Sequence, residues 1–271
     1  MRGVFLASLI ALPVVALFVF VGVFAFKQQR KQMASRAAWQ DVKSSAGGMR
    51  DDLKKNFNPT NGITNVDLSR FDKMRDGLKT VSQNSSGDDG HVAAALSAYV
   101  DRMQTAVKNY QDASTKLREA HVMDNFDFTD KGQIASRREI VKQFIAANEA
   151  LKLVITNSED RIRADLVRGK VPTYKIDRFM DGFHSSAAPK NGISIKIRQC
   201  DDRIGAAMLD VLDALESDWG HWKPDPATDR LRFEHSATLN TYNNDLALIR
   251  TAGEEQLKLQ SKLVNQPASQ N

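Results

Sequence analysis

Residues 96–121 read LSAYVDRMQTAVKNYQDASTKLREAH. Within them Leu96, Val100, Met103, Val107, Tyr110, Ser114, Leu117 and His121 recur at alternating steps of four and three. An α-helix turns once in 3.6 residues, so these positions form one stripe. Asp101, Arg102, Lys108, Asp112 and Lys116 fall between them, on faces left for water. Such a helix buries one side only, as a wall of a bundle or a coiled-coil-like seam. His121 closes the stripe and reads as a half-buried residue or as a cation at the helix C-terminus.

Outward from this helix the pattern repeats. Downstream, Asp124 to Lys131 breaks the period, and a long helix is expected over residues 133–168, ended by Gly169 with Pro172 three residues on. Residues 174–183 read as a shorter helix, and Pro189 and Gly192 are expected to end the connection that follows. A further helix is expected over 193–222, with Ile193, Ile197, Cys200, Ile204, Met208, Val211, Leu215, Trp219 and Trp222 on its stripe. Cys200 reads as a packing residue. Asp201 and Asp202, beside Arg198 and Arg203, read as part of a solvated charged face. KPDPATDRLRF at 223–233 suggests a loop or a small hairpin, and the last helix is expected over 238–263 with a tail at 265–271. Upstream, QNSSGDDG at 83–90 is a polar loop. Asp67 is placed to cap a helix whose stripe is Leu68, Phe71, Met74, Leu78 and Val81. No βαβ alternation appears. The fold class is therefore all-α, an elongated antiparallel bundle of about five helices over residues 67–264.

The N-terminal segment is different. Val4 to Phe26 holds 23 residues without a charge. At ~1.5 Å per residue that length crosses a bilayer core. It is expected to be a retained transmembrane helix behind a short tail at 1–3, followed by a basic helical stalk over 27–57. A cleaved signal peptide is the alternative, but its apolar core usually runs only ~7–15 residues. Membrane lipid is thus an expected partner, with Lys27, Arg30 and Lys31 at the headgroups. The basic flank alone points the bundle to the cytoplasm. The position of the apolar run, and the indifference of long domains to charge, point to the extracytoplasmic, periplasmic side. The second placement is preferred and the first stays open.

Charge narrows the function classes. The chain carries 38 basic and 33 acidic side chains, but residues 1–36 hold Arg2, Lys27, Arg30, Lys31 and Arg36 and no acid. The remainder is neutral, so no basic face for nucleic acid is expected. One cysteine excludes an intrachain disulfide framework. No P-loop, GxGxxG, HExxH or CxxC motif occurs, and DNFDFTDKG at 124–132 misses calcium-loop spacing. The five histidines form no i, i+3 or i, i+4 pair, so no metal, cofactor or catalytic site is expected locally. The stretch WGHWKPDP at 219–226 stands out. Trp219, His221, Trp222 and Asp225 are candidate partner- or ligand-binding residues. The same two tryptophans, three apart, would also close the end of the bundle. The expected function is a non-enzymatic membrane-anchored interaction or scaffold module with a protein partner. A sensory or ligand-binding bundle working through a partner is the alternative. It would need a polar pocket between helices near Asn148, Ser158 and His121.

Overall fold

The computed structural model describes residues 33–60, 62–63, 66–85, 87–124, 126, 128–225 and 230–265. Among them are seven helices and two small antiparallel hairpins. In chain order these are α1 (Met33–Asn56), β1 (Phe57–Asn58), β2 (Gly62–Ile63), α2 (Ser69–Asn84), α3 (Asp88–Glu119), α4 (Lys131–Thr156), α5 (Ser158–Arg168), α6 (Thr173–Ser217), β3 (Trp222–Asp225), β4 (Arg230–Phe233) and α7 (Ser236–Asn265).

Side-chain ties fix the direction of each helix. Asp72 of α2 accepts from Gln104 of α3, and Arg75 lies 3.8 Å from Asp101, so one helix is read backwards along the other. Between α4 and α6 the same reversal joins Arg138 to Asp213 and Lys152 to Asp202. Arg203 to Glu255 and Asp201 to Gln256 then join α6 to α7. Consecutive rods pack on one another, and α7 returns to meet α1.

The stripe that announced α3 is buried from Leu96 to Leu117. Opposite it lie Phe71, Met74, Leu78 and Val81 of α2, and Ile134, Val141, Phe144 and Leu151 of α4. The α4 N-terminus is capped reciprocally. Asp130 Oδ1 accepts the Gln133 N–H at 3.2 Å, and Gln133 Oε1 accepts the Thr129 N–H at 2.8 Å. At the start of α2 the N-cap position falls on Leu68, one residue after the expected Asp67, whose Oδ1 accepts the Ser69 N–H at 2.9 Å.

Several expectations are corrected. Among the described residues no helix is long and apolar enough to cross a membrane, which overturns the single-pass membrane localisation. The segment behind that expectation, Val4 to Phe26, lies outside the described residues, as do Lys27, Arg30 and Lys31. The expected stalk supplies α1, whose Trp39, Val42, Met49 and Leu53 are buried, because an apolar face of that length packs rather than stands free. The helix expected over 133–168 is divided at Asn157, where φ −93° and ψ 13° leave helical geometry. At the other extreme, α6 runs through Pro189 and Gly192 for 45 residues. Phe183, Ala187, Ile193 and Ile197 keep one buried line across the proline, and that packing outweighs the lost backbone donor. α6 ends at Ser217, so Trp222 opens β3 instead of closing a helix.

Candidate functional site at the hairpin end

Where α6 stops, Asp218 caps its C-terminus, its N–H returning to Ala214 O at 3.1 Å. Gly220 then takes φ 91°, a left-handed value open to glycine without strain. This turns the chain into β3, and His221 donates its N–H to Asp218 O at 3.1 Å. Strands β3 and β4 pair from Trp222↔Phe233 to Asp225↔Arg230. The Glu234 N–H extends the ladder to His221 O at 2.8 Å.

The four residues singled out by sequence separate into three roles. Trp219 and Trp222 meet edge to face, centroids 5.6 Å apart. Trp222 Nε1 donates to Leu215 O at 2.8 Å, which ties the ring to the end of α6. Asp225 is 8% exposed and turned to its own hairpin, paired to Arg232 at 2.7 Å. His221 belongs to another cluster, with Asp218 and His235.

Around the tryptophans the loop after α3 and the start of α7 bring further rings. Phe128 stands edge to face on Trp222 at 6.0 Å. Phe126 contacts Phe128 at 5.9 Å and Tyr242 at 6.1 Å, and Phe233 contacts Tyr242 at 5.1 Å. All six rings are half-buried. The Arg137 guanidinium lies 4.4 Å over Phe128 and donates to the carbonyls of Val122 and Asp124. Beside this platform is an open cleft of about 480 Å³, lined by Phe128, Thr129, Gln133, Ser136, Arg137 and Ile140.

The Asp218 cluster lies next to Trp219 and Trp222. His235 Nδ1 is 2.6 Å from Asp218 Oδ1, and His221 Nδ1 is 3.6 Å from the same oxygen. The imidazole centroids are 4.7 Å apart. Hydrogen bonding from His235, then from Thr238, holds the Asp218 carboxyl below the usual carboxylate range. His235 escaped the sequence reading because it is far from His221 along the chain. The signal available was the hairpin itself: closing 223–233 as a two-stranded ladder sets residues 221 and 235 on its two flanks.

A second polar group fills the middle of the bundle. Arg198 and Asp201 are fully buried, 3.1 Å apart. Tyr110 and Gln256 donate to Asp201 at 3.0 and 2.7 Å. The Arg198 guanidinium lies 4.2 Å over the Tyr110 ring and donates to Asn148 Oδ1 at 3.2 Å. Asn148 in turn donates to Arg198 O and to Asp202, which also holds Lys152. Burial pushes the Asp201 carboxyl up to about 7 against the pull of Arg198. The solvated face expected for Asp201 is thus corrected: Tyr110 of α3, Asn148 of α4 and Gln256 of α7 meet α6 at this level, so Arg198 and Asp201 are turned inward, while Asp202 is half-buried and Arg203 exposed. Asn148 and Ser158 are tied within the core, Ser158 to Asn191 at 3.4 Å. His121 is exposed at φ 49°, 3.1 Å from Asp124. Cys200 is buried, and that burial, ahead of the opposing bond from Arg203, raises its thiol.

No family model matches this chain, and comparison with curated proteins and with solved structures returned no match.

Proposed function

We propose that the protein is a non-catalytic helical-bundle interaction module that docks an apolar segment of a partner protein at its hairpin end. The observation that carries this reading is the set of six half-buried rings, Phe126, Phe128, Trp219, Trp222, Phe233 and Tyr242, beside an open cleft. Aromatic side chains give large contact area at low cost in rotamer entropy, and they dominate binding energies where they flank a pocket. Thr129, Gln133 and Ser136 give that cleft hydrogen-bonding groups for the backbone of a docked segment. The core network supports docking at the end over ligand binding between helices. Its members Asn148, Arg198, Asp201 and Asp202 are linked to one another and to Tyr110, Gln256 and Lys152.

A photo-crosslinking residue at Ser136 tests the reading. It traps one discrete protein in cells, whereas the same probe at Lys108, on an exposed face of α3, does not. Phe128→Ala weakens the trapped complex by ~2 kcal/mol, the loss typical of a hot-spot aromatic. Equal labelling from both positions, or an adduct indifferent to Phe128→Ala, refutes it.

A further inference from the structure

We propose that Asp218, His221 and His235 form a binding site for a divalent transition-metal ion of the zinc class. The site stands apart from the docking reading and does not depend on it.

The chemistry of the set is the first argument. Two imidazole nitrogens and one carboxylate oxygen are ligands that zinc takes, at ~2.0–2.2 Å. Tetrahedral bonds of that length set neighbouring ligand atoms about 3.3 Å apart. Here Asp218 Oδ1 lies 2.6 Å from one imidazole nitrogen and 3.6 Å from the other, and all ligand atoms fall within 4.8 Å of one another. The remaining adjustment falls to the two imidazoles, whose side chains are 52% and 55% exposed.

The second argument is the carboxylate. Asp218 is 8% exposed, and its Oδ2 is covered without a hydrogen-bond partner. A buried carboxylate oxygen left unbonded costs free energy, and such atoms call for an explanation. The hydrogen bonds from His235 and Thr238 do not use the second imidazole, which stands beyond bonding distance of the same carboxylate oxygen as His235. A divalent ion between the three groups uses both nitrogen lone pairs and neutralises the carboxylate.

The third argument is backbone placement. Asp218 is fixed by the last turn of α6, and His221 by the turn to Asp218 and the ladder bond from Glu234. His235 is fixed by the first turn of α7, where Leu239 N–H bonds His235 O at 3.2 Å. The ligands are therefore held before any ion arrives, which lowers the ordering cost of binding. Three protein ligands leave a fourth position for water or for a group brought by a partner. Bound metal would clip the end of α6 to the start of α7 across the hairpin.

The test uses the untagged full chain. Titration with Zn²⁺ is followed by calorimetry, and Co²⁺ by its visible absorption, which reports tetrahedral nitrogen and oxygen ligation directly. One ion per chain is expected. His221→Ala and His235→Ala each weaken binding by more than about tenfold, the loss that even outer-shell partners produce. His184→Ala, which removes an imidazole paired with Glu159 elsewhere, leaves it unchanged. Circular dichroism establishes that the variants keep their helices. His221 lies in an exposed turn, so His221→Gln serves where His235→Ala fails to fold. Absence of one-to-one binding, or binding that survives His221→Ala and His221→Gln, overturns the site.

Discussion

At Lys170 a single side chain sits where the backbone would choose glycine. The Val171 N–H returns to Leu166 O at 3.1 Å and the Lys170 N–H to Val167 O at 2.9 Å, the two bonds that close a helix by the Schellman pattern. The residue between them takes φ 59°, and it is Lys170, one place after Gly169. Left-handed backbone costs a side-chain-bearing residue roughly 1–2 kcal/mol. Lys170→Gly therefore raises stability by about 1 kcal/mol, read by chemical denaturation, and Lys170→Val lowers it. The stop signal was legible in Gly169 and Pro172, but its register was not, because only the hydrogen bonds say which residue turns. The Arg198–Asp201 pair was illegible for another reason. Three residues apart among other charges, they look like a wet face until Tyr110 and Gln256 are seen opposite. Asp201 is lifted by burial to about 7 from 3.8. Between those values the folded chain holds a proton that the unfolded chain has released, so this residue's contribution to stability falls as pH rises and levels off above about 7. Arg198→Ala removes the cation that opposes the lift. Its cost grows as pH rises above about 7, where the Asp201 carboxylate loses its compensating cation, and is smaller below that, where the carboxyl keeps its proton in both proteins. A penalty flat with pH would contradict this account.

Among the elements, α6 shows how packing overrides local preference. Pro189 and Gly192 are both helix-breaking signals, and the sequence reading stopped there. The helix continues because its buried line from Phe183 to Leu215 is unbroken. Pro189→Ala restores one backbone donor and removes a ring from a helix interior, so it raises stability by about 1 kcal/mol or more. In a chain of this size that is a gain of roughly 2–4 °C in Tm. Periodicity identified the stripes of α2, α3 and α4 because each buries a single apolar side. It says less about α7, where Gln256 and Gln260 are fully buried beside Ile249 and Val264 while Leu239 is 37% exposed. A helix that buries amides against Asp201 and Ile63 does not announce its inner face by oiliness. Where α4 crosses α6 the helices approach closely at Gly205, whose added methyl would lie 2.6 Å from Ile145 Cγ1. Gly205→Ala overpacks that crossing and costs about 1–3 kcal/mol.

For the whole molecule, closure rests on a small contact between distant parts of the chain. Gln260 Oε1 accepts the Ile63 N–H at 3.1 Å, and the neighbouring Gly62 takes φ 66° beneath the same side chain. Gln260→Ala leaves a buried donor unsatisfied at a cost of about 1–3 kcal/mol. Hydrogen exchange at Ile63 quickens by the matching factor, while exchange in α4 keeps its rate unless the whole fold opens. The all-α class and the hairpin near 223–233 were legible from sequence, because stripe spacing and turn residues are local. The return of α7 to α1 was not, since nothing near Gly62 names its distant partner.

That serial arrangement has a consequence for synthesis. Each rod from α1 to α4 finds its neighbour in the segment made just before it, so a nascent chain can zip up pairwise as it leaves the ribosome. Asp201, already translated, must wait for Gln256 at the far end to arrive. The thirty residues of α7 are therefore the latch, and a premature stop before them would release a half-built bundle with its inner charges open to water.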